Sequence, residues 1–137
     1  MGQHEDDTVS LLTALYRDGA IVDVGANIGL ITVPLARRTR HLALKGSPHV
    51  YALEAMASNY AALVENIHVN GVEGDVKAIN GGLGASTDQV FIQIEGDDPG
   101  RTGTANVLPG DFTFKRIPLS VTTIDDLVAA GELPEDV

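Results

Sequence analysis

The sequence predicts an α/β fold in which a parallel sheet carries helices on both of its faces. Short apolar runs of strand length alternate with segments of helical periodicity across residues 20–84. The first apolar run passes directly into a glycine-rich turn, Val22–Leu30, which opens a helix. After residue 84 apolar and polar residues alternate instead. This order predicts a βαβαβ unit followed by an antiparallel excursion.

The composition indicates one domain. A chain of 137 residues that is 44% hydrophobic can bury a single core. Its 19 acidic and 9 basic residues give a net charge of −10, which opposes attraction to nucleic acids and anionic membranes. The sequence has no cysteine, and no apolar run approaches the roughly 18 residues of a membrane span. We therefore expect a cytoplasmic protein with neither nucleic acid nor a membrane as partner.

An N-terminal helix is expected within residues 1–19. Its apolar positions have helical spacing: Val9, Leu12, Leu15 and Tyr16. Asp7 or Thr8 can cap its start, and Gly19 is placed to end it as the C′ residue.

Residues 20–84 are expected to form three strands joined by two helices. The predicted strands are Ala20–Val24, His49–Leu53 and Val76–Asn80. The first helix is expected to be capped by Asn27 and kinked at Pro34, which lacks an N–H. The second is expected to be capped by Ser58 and ended by Asn70 and Gly71.

Residues 85–137 have a different pattern. Strict alternation over Gln89–Glu95 predicts a strand with one wet face, and Gly96–Gly100 predicts a turn. A second alternating run contains Ile117, Leu119 and Val121. A short helix, Ile124–Ala130, follows, with Thr123 as its cap and Gly131 as its C′ residue.

The glycine turn discriminates between ligands. A dinucleotide fingerprint counted from Gly25 needs glycine at positions 27 and 30, where this chain has Asn27 and Leu30. Asp23 would also repel a phosphate bound at the helix N-terminus. S-adenosylmethionine (SAM) carries an ammonium and a sulfonium and no phosphate, so a nearby carboxylate attracts it. The turn favours SAM, while an NAD(P)-binding oxidoreductase domain stays as an alternative.

Further candidate ligand contacts follow the second and third strands. Glu54 lies 25 residues after Gly29, at a strand end where its carboxylate can accept hydrogen bonds from both ribose hydroxyls. Ala55 and Met56 can pack against an adenine face, although core packing explains Met56 equally well. The Asn80-Gly81 pair can contact the adenine edge or can form a plain turn.

The sequence gives no sign of a metal site or a hydrolase nucleophile. Asp97, Asp98 and Asp111 lack the spacing of an EF-hand loop, and Pro99 favours a turn there. The histidines, at positions 4, 41, 49 and 68, have no partner at metal-ligand spacing. We expect no metal, and no catalytic base can be assigned.

Taken together, these motifs resemble those of FkbM-type SAM-dependent methyltransferases, a class I group with a Rossmann-like sheet. The resemblance is carried by Val22–Gly29, Val50–Ala55 with Asn59, Leu63, Glu65 and Asn66, the strand through Ile79 with Gly82–Gly84, and Thr122–Leu127. It implies methyl transfer to a small-molecule acceptor, in particular to a hydroxyl group.

The resemblance also implies roles for individual residues. Asp23 and the backbone of Gly25–Gly29 would hold the methionine part of SAM, Glu54 its ribose, and the region of Asn80 its adenine. The full candidate set for cofactor binding is Asp23, Gly25, Ala26, Asn27, Gly29, Glu54, Ala55, Met56, Asn80 and Gly81.

The chain departs from the family pattern after Thr122–Leu127. The family continues into another strand with an acidic residue and a Glu-Gly pair, which these 137 residues do not contain. We therefore expect residues 1–137 to be a single, truncated SAM-binding domain. Ile21–Val24 would then form an apolar sheet edge through which the chain can self-associate. A non-catalytic α/β interaction module is the second interpretation.

Overall fold

The computed structural model describes residues 3–43, 47–95 and 114–135. Their elements are α1 (Gln3–Leu15), β1 (Ile21–Val24), α2 (Thr32–Thr39), β2 (Val50–Glu54), α3 (Ala57–Val69), β3 (Val76–Asn80), β4 (Gly82–Leu83), β5 (Asp88–Glu95), β6 (Phe114–Thr122) and α4 (Ile124–Ala129). Strands β1, β2 and β3 form a parallel sheet in that order. The predicted βαβαβ unit is therefore confirmed.

The register of this sheet places the three strand ends side by side. Val24 is paired with Leu53, and Glu54 is paired with Asn80. Every residue of β2 is buried because this strand lies between its two neighbours. Parallel strands end at the same edge, so the residues that follow β1, β2 and β3 meet there.

Hydrophobic cores lie on both faces of the parallel sheet. On one face Val33 of α2 and Leu63 of α3 pack against Val50 and Ala52. The alternate residues of β2 point to the other face, where the core consists of Tyr51, Leu53, Leu127 and Leu133. Leu127 belongs to α4, so helices cover both faces as the sequence predicts.

The remaining strands form a second sheet in the order β4-β6-β5. Strands β5 and β6 are antiparallel, with Val90 paired with Leu119, which confirms the antiparallel excursion. Both Val90 and Phe91 are exposed although they point to opposite faces, whereas Ile117 and Leu119 of β6 are half-buried. The predicted turn Gly96–Gly100 and the acidic positions 97, 98 and 111 lie outside the described residues.

Two predictions about α1 are wrong. The helix already begins at Gln3, so Asp7 and Thr8 lie within it and cannot cap its start. Gly19 has a positive φ of +81°, but it lies four residues beyond Leu15 and belongs to the loop that leads into β1. The spacing of apolar residues predicts that a helix is present, but it does not determine which of several possible capping residues begins or ends the helix.

Two predicted helix starts are also wrong. Helix α2 begins at Thr32, after a cap residue whose side chain makes no capping bond, so Asn27 does not cap it. Pro34 lies in the first turn of α2, between Val33 and Leu35, whose N–H groups donate to the carbonyls of Gly29 and Ile31. Its missing N–H interrupts this series of bonds, and a kink there stays a prediction. Helix α3 is capped by Met56, and Ser58 is its second residue.

The predicted helix ends are confirmed. Beyond α3, the N–H of Gly71 donates to His68 and that of Val72 to Ile67, the two bonds of a Schellman motif with Gly71 at φ +63°. The predicted start of α4 is confirmed as well, because the hydroxyl of Thr123 accepts the N–H of Asp126 at 3.0 Å, as expected for an N-cap.

Strand β1 forms one edge of the parallel sheet. Among the described residues it pairs with β2 alone, and its last residue, Val24, is 54% exposed. The expected apolar edge is therefore present. Self-association through it stays a prediction.

A buried histidine lies just before β2. His49 is 4% exposed, and its Nε2 is 2.8 Å from the hydroxyl oxygen of Thr39. Because that hydroxyl donates its hydrogen to the Leu35 carbonyl at 2.8 Å, Nε2 must be the protonated nitrogen of the neutral ring. Nδ1 is then an acceptor, and it has no donor among the described residues. Burial lowers the pKa of His49, opposed by nearby Asp75 and assisted by Arg40.

We predict that this histidine makes the fold less stable in mild acid. Below the ordinary histidine pKa of 6.5 the unfolded chain takes up a proton that the folded chain resists, so stability is lost as pH falls. Urea unfolding should show a lower midpoint at about pH 5.5 than at about pH 7.5. The difference should shrink in His49→Gln and persist in His41→Gln, which changes an exposed ring. Equal pH dependence in all three proteins would contradict the assignment.

Candidate functional site

The main chain after β1, β2 and β3 is joined by hydrogen bonds at one edge of the sheet. The Leu53 carbonyl accepts the N–H groups of Gly25 and Ala26 at 2.9 and 3.0 Å. The Glu54 carbonyl accepts the N–H of Gly81 at 3.0 Å and the side-chain amide of Asn80 at 2.8 Å. The end of β2 therefore holds the segments that follow both of its neighbours.

The Glu54 carboxylate is the centre of this edge. It is 6% exposed, and Oε2 accepts the N–H of Asn27 while Oε1 accepts the N–H of Met56, each at 2.8 Å. One side chain thus ties the glycine turn to the start of α3. Each carboxylate oxygen has a second lone-pair site, so both can accept a further hydrogen bond from a hydroxyl group.

The turn between β1 and α2, residues 25–31, contains three residues with positive φ: Gly25 at +79°, Asn27 at +53° and Gly29 at +91°. A Cβ at position 29 would lie 2.9 Å from Cδ1 of Leu63, so glycine is needed there to let the turn pack on α3. A Cβ at position 25 would have no protein atom within 4 Å. Gly25 therefore borders open space at the edge of the sheet.

Two polar side chains support the turn from the α2 and α3 side. The hydroxyl of Thr32, which is fully buried, donates to Oδ2 of Asp23 at 2.6 Å. The amide of Asn66 on α3 donates to the Ile28 carbonyl at 2.7 Å. One hydrogen bond thus joins the strand before the turn to the helix after it, and the other joins the turn to α3.

The family model of the methyltransferase FkbM domain matches residues 23–136. This match covers most of the chain, including every element from the end of β1 to α4. The chain belongs to the FkbM methyltransferase domain family. The family resemblance that the sequence motifs indicate is confirmed.

This FkbM domain is similar to several solved structures. The match with the methyltransferase FkbM from Methylobacillus flagellatus KT covers 82% of this chain and 24% of that protein, at 19% sequence identity and a TM-score of 0.50. The match with M. jannaschii TYW2 in complex with AdoMet covers 58% of this chain and 34% of that protein, at 27% sequence identity and a TM-score of 0.46. The match with the glycopeptide N-methyltransferase MtfA complexed with sinefungin covers 93% of this chain and 73% of that protein, at 10% sequence identity and a TM-score of 0.42.

The FkbM domain is shorter than most of these proteins. It spans about a third of the length of TYW2. No curated protein matches its sequence.

The structure brings the ten candidate residues of the FkbM domain together. Asp23 and the glycine turn follow one another, and Ala55 and Met56 are half-buried beside Glu54. Ala26 is 6% exposed and packs into the core with α2 and α3, so only its backbone borders the edge. The amide nitrogen of Asn80 donates to Glu54, which favours a structural contribution of that side chain.

Thr32 and Asn66 are supporting residues that the sequence did not reveal as such. Thr32 is nine residues from Asp23, and Asn66 is 38 residues from Ile28, so neither contact follows from helical or strand periodicity. Asn66 carries part of the family resemblance, but its hydrogen bond to the turn is visible only in three dimensions.

The described ranges of the FkbM domain contain no group of three or more acidic, histidine or cysteine side chains that could hold a metal ion. Within the same ranges, no helix is long and apolar enough to cross a membrane.

We predict that Glu54→Gln destabilises the fold because glutamine has only one side-chain oxygen. Its NH₂ group would face the N–H of Asn27 or Met56, leaving a buried donor unpaired at a cost of about 1–3 kcal/mol. Urea unfolding measures the loss. Glu65→Gln makes the same change on the exposed side of α3 and should have little effect. Equal stability of the two variants would show that the carboxylate does not clamp the turn.

Proposed function

We propose that the FkbM domain binds SAM at the carboxyl ends of β1, β2 and β3. The observation that carries the proposal is the Glu54 carboxylate, which holds the turn through Asn27 and Met56 and still has an acceptor site on each oxygen. The open space beside Gly25 fits a ligand that approaches the bare backbone.

Each part of SAM has a matching group at this edge. The carboxylate of Asp23 and the backbone of Gly25–Gly29 would hold the methionine part, because SAM carries an ammonium there. Glu54 would accept hydrogen bonds from the two ribose hydroxyls. The adenine would lie near Ala55, Met56, Asn80 and Gly81, where half-buried apolar groups border a buried backbone.

We propose methyl transfer as the activity. SAM supplies an electrophilic methyl group on a sulfonium. The residues of this chain bind the ligand, orient its sulfur and exclude water, and such positioning contributes up to about 7–11 kcal/mol to lowering a barrier in favourable cases. No catalytic base is assigned, because no side chain near the turn, among the described residues, is identified as a proton acceptor.

We propose a small molecule with a hydroxyl group as the acceptor. The net charge of −10 opposes a polyanionic acceptor, and the family resemblance favours O-methylation. Transfer of a labelled methyl group from SAM should be detected with small alcohols and not with RNA. Transfer to RNA would replace this part of the proposal while leaving the SAM site intact.

Binding is tested most directly at Gly25. Calorimetry should show that the chain binds SAM and that Gly25→Val abolishes this binding, because the side chain fills the space beside the turn. Gly71→Val is the matched control: Gly71 also has a positive φ, +63°, and open space at its Cβ, but it ends α3. Both variants place valine at a positive φ, so a loss of SAM binding in Gly25→Val alone points to a ligand at the turn.

Two outcomes would contradict the site. SAM binding that survives Gly25→Val would move the site elsewhere. Binding of NAD in preference to SAM would favour the oxidoreductase alternative, in which a pyrophosphate approaches the turn.

A further inference from the structure

We propose that Thr32 is a positioning residue for SAM, acting through Asp23. The inference rests on the proposed SAM site and adds to it a residue that does not itself border the ligand. Thr32 is the first residue of α2 and is fully buried, and its hydroxyl donates to Oδ2 of Asp23 at 2.6 Å. A bond of this length to a carboxylate is charge-assisted and strong.

The hydroxyl of Thr32 is committed to this partner. A threonine in a helix can instead bond to the carbonyl four residues earlier, which here is that of Ile28. That carbonyl accepts the amide of Asn66 at 2.7 Å, and the single hydrogen of the Thr32 hydroxyl is donated to Asp23. A buried hydroxyl without a partner is costly, so the contact with Asp23 stabilises both the start of α2 and one orientation of the carboxylate.

This contact uses only one side of the Asp23 carboxylate. Asp23 is half-buried at the end of β1, and within the described part of the chain its Oδ1 has no hydrogen-bond partner. Fixing Oδ2 on Thr32 therefore leaves Oδ1 as the oxygen that can receive the ammonium of the methionine part. Without Thr32 the carboxylate can rotate about its side-chain bonds, and that ordering must occur on binding.

The test compares two ligands on three proteins. Thr32→Val keeps the shape of the side chain and removes the donor, whereas Thr32→Ser keeps the donor. We expect Thr32→Val to weaken SAM binding about tenfold, the effect of one lost ordering contact. The affinity for 5′-methylthioadenosine, which lacks the amino-acid part, should change less than about twofold. Thr32→Ser should restore most of the SAM affinity. Calorimetry gives both affinities, and thermal unfolding checks the fold.

A merely structural threonine would give a different result. If Thr32→Val weakens both ligands equally, the residue only supports the turn and the proposal is overturned. Unchanged SAM affinity overturns it as well. If the unaltered chain binds 5′-methylthioadenosine but not SAM, Asp23 has no ammonium to hold and the inference fails. If it binds neither ligand, the proposed function itself fails.

Two further measurements keep the proposal testable. In an Asp23→Ala background, Thr32→Val should cause no additional loss of SAM affinity, because Thr32 acts through the missing carboxylate. Should valine at position 32 prevent folding, Thr32→Cys replaces it, since a thiol is a weaker donor than the hydroxyl of Thr32→Ser. SAM affinity should then be lower with cysteine than with serine, and equal affinities would overturn the proposal.

Discussion

The rest of the site depends on the hydrogen bonds of the buried Glu54 carboxylate. Its two oxygens bind the N–H groups of Asn27 and Met56, and its own carbonyl binds Asn80 and Gly81. One residue at the end of the central strand therefore fixes the segments that follow all three parallel strands. Parallel strands bring these segments together, and hydrogen bonds to Leu53 and Glu54 at the end of β2 hold them there.

A charge in this position has a cost that its partners offset. Taking a carboxylate out of water is unfavourable unless hydrogen bonds replace the lost hydration. Backbone N–H groups supply these bonds, and they are donors that the ends of a turn and of a helix would otherwise leave unpaired. This explains how α3 can begin after Met56, whose side chain makes no capping bond. The glutamate of β2 satisfies a donor there instead.

The sequence predicted the elements of the fold better than it predicted their first residues. Strand β3 has the predicted bounds, and the glycine ends of α3 and α4 are confirmed, because positive φ at Gly71 and Gly131 is a local property. Helix starts failed at Asn27 and Ser58 because a capping side chain is only one way to satisfy the first N–H groups.

In the candidate site, too, the sequence predicted the local features and not the contacts that depend on packing. Glu54 and the glycine turn were found from the sequence because strand ends and glycine spacing follow from chain order. The contacts of Thr32 with Asp23 and of Asn66 with Ile28 depend on how α2 and α3 pack on the sheet, which no local pattern encodes. The roles of the ten residues in binding SAM stay predictions.

The two glycines of the turn differ in what surrounds them. Gly29 is required by the protein, since Leu63 of α3 leaves no room for a Cβ, while nothing in the protein occupies the space beside Gly25. Hydrogen bonds with Asn66 of α3 and with Leu53 and Glu54 of β2 hold the turn on the side that packs against the domain. Positive φ accounts for a glycine at both positions, and packing against Leu63 is a further requirement at Gly29 alone. The open space beside Gly25 is therefore the part of the turn that the proposed ligand can approach.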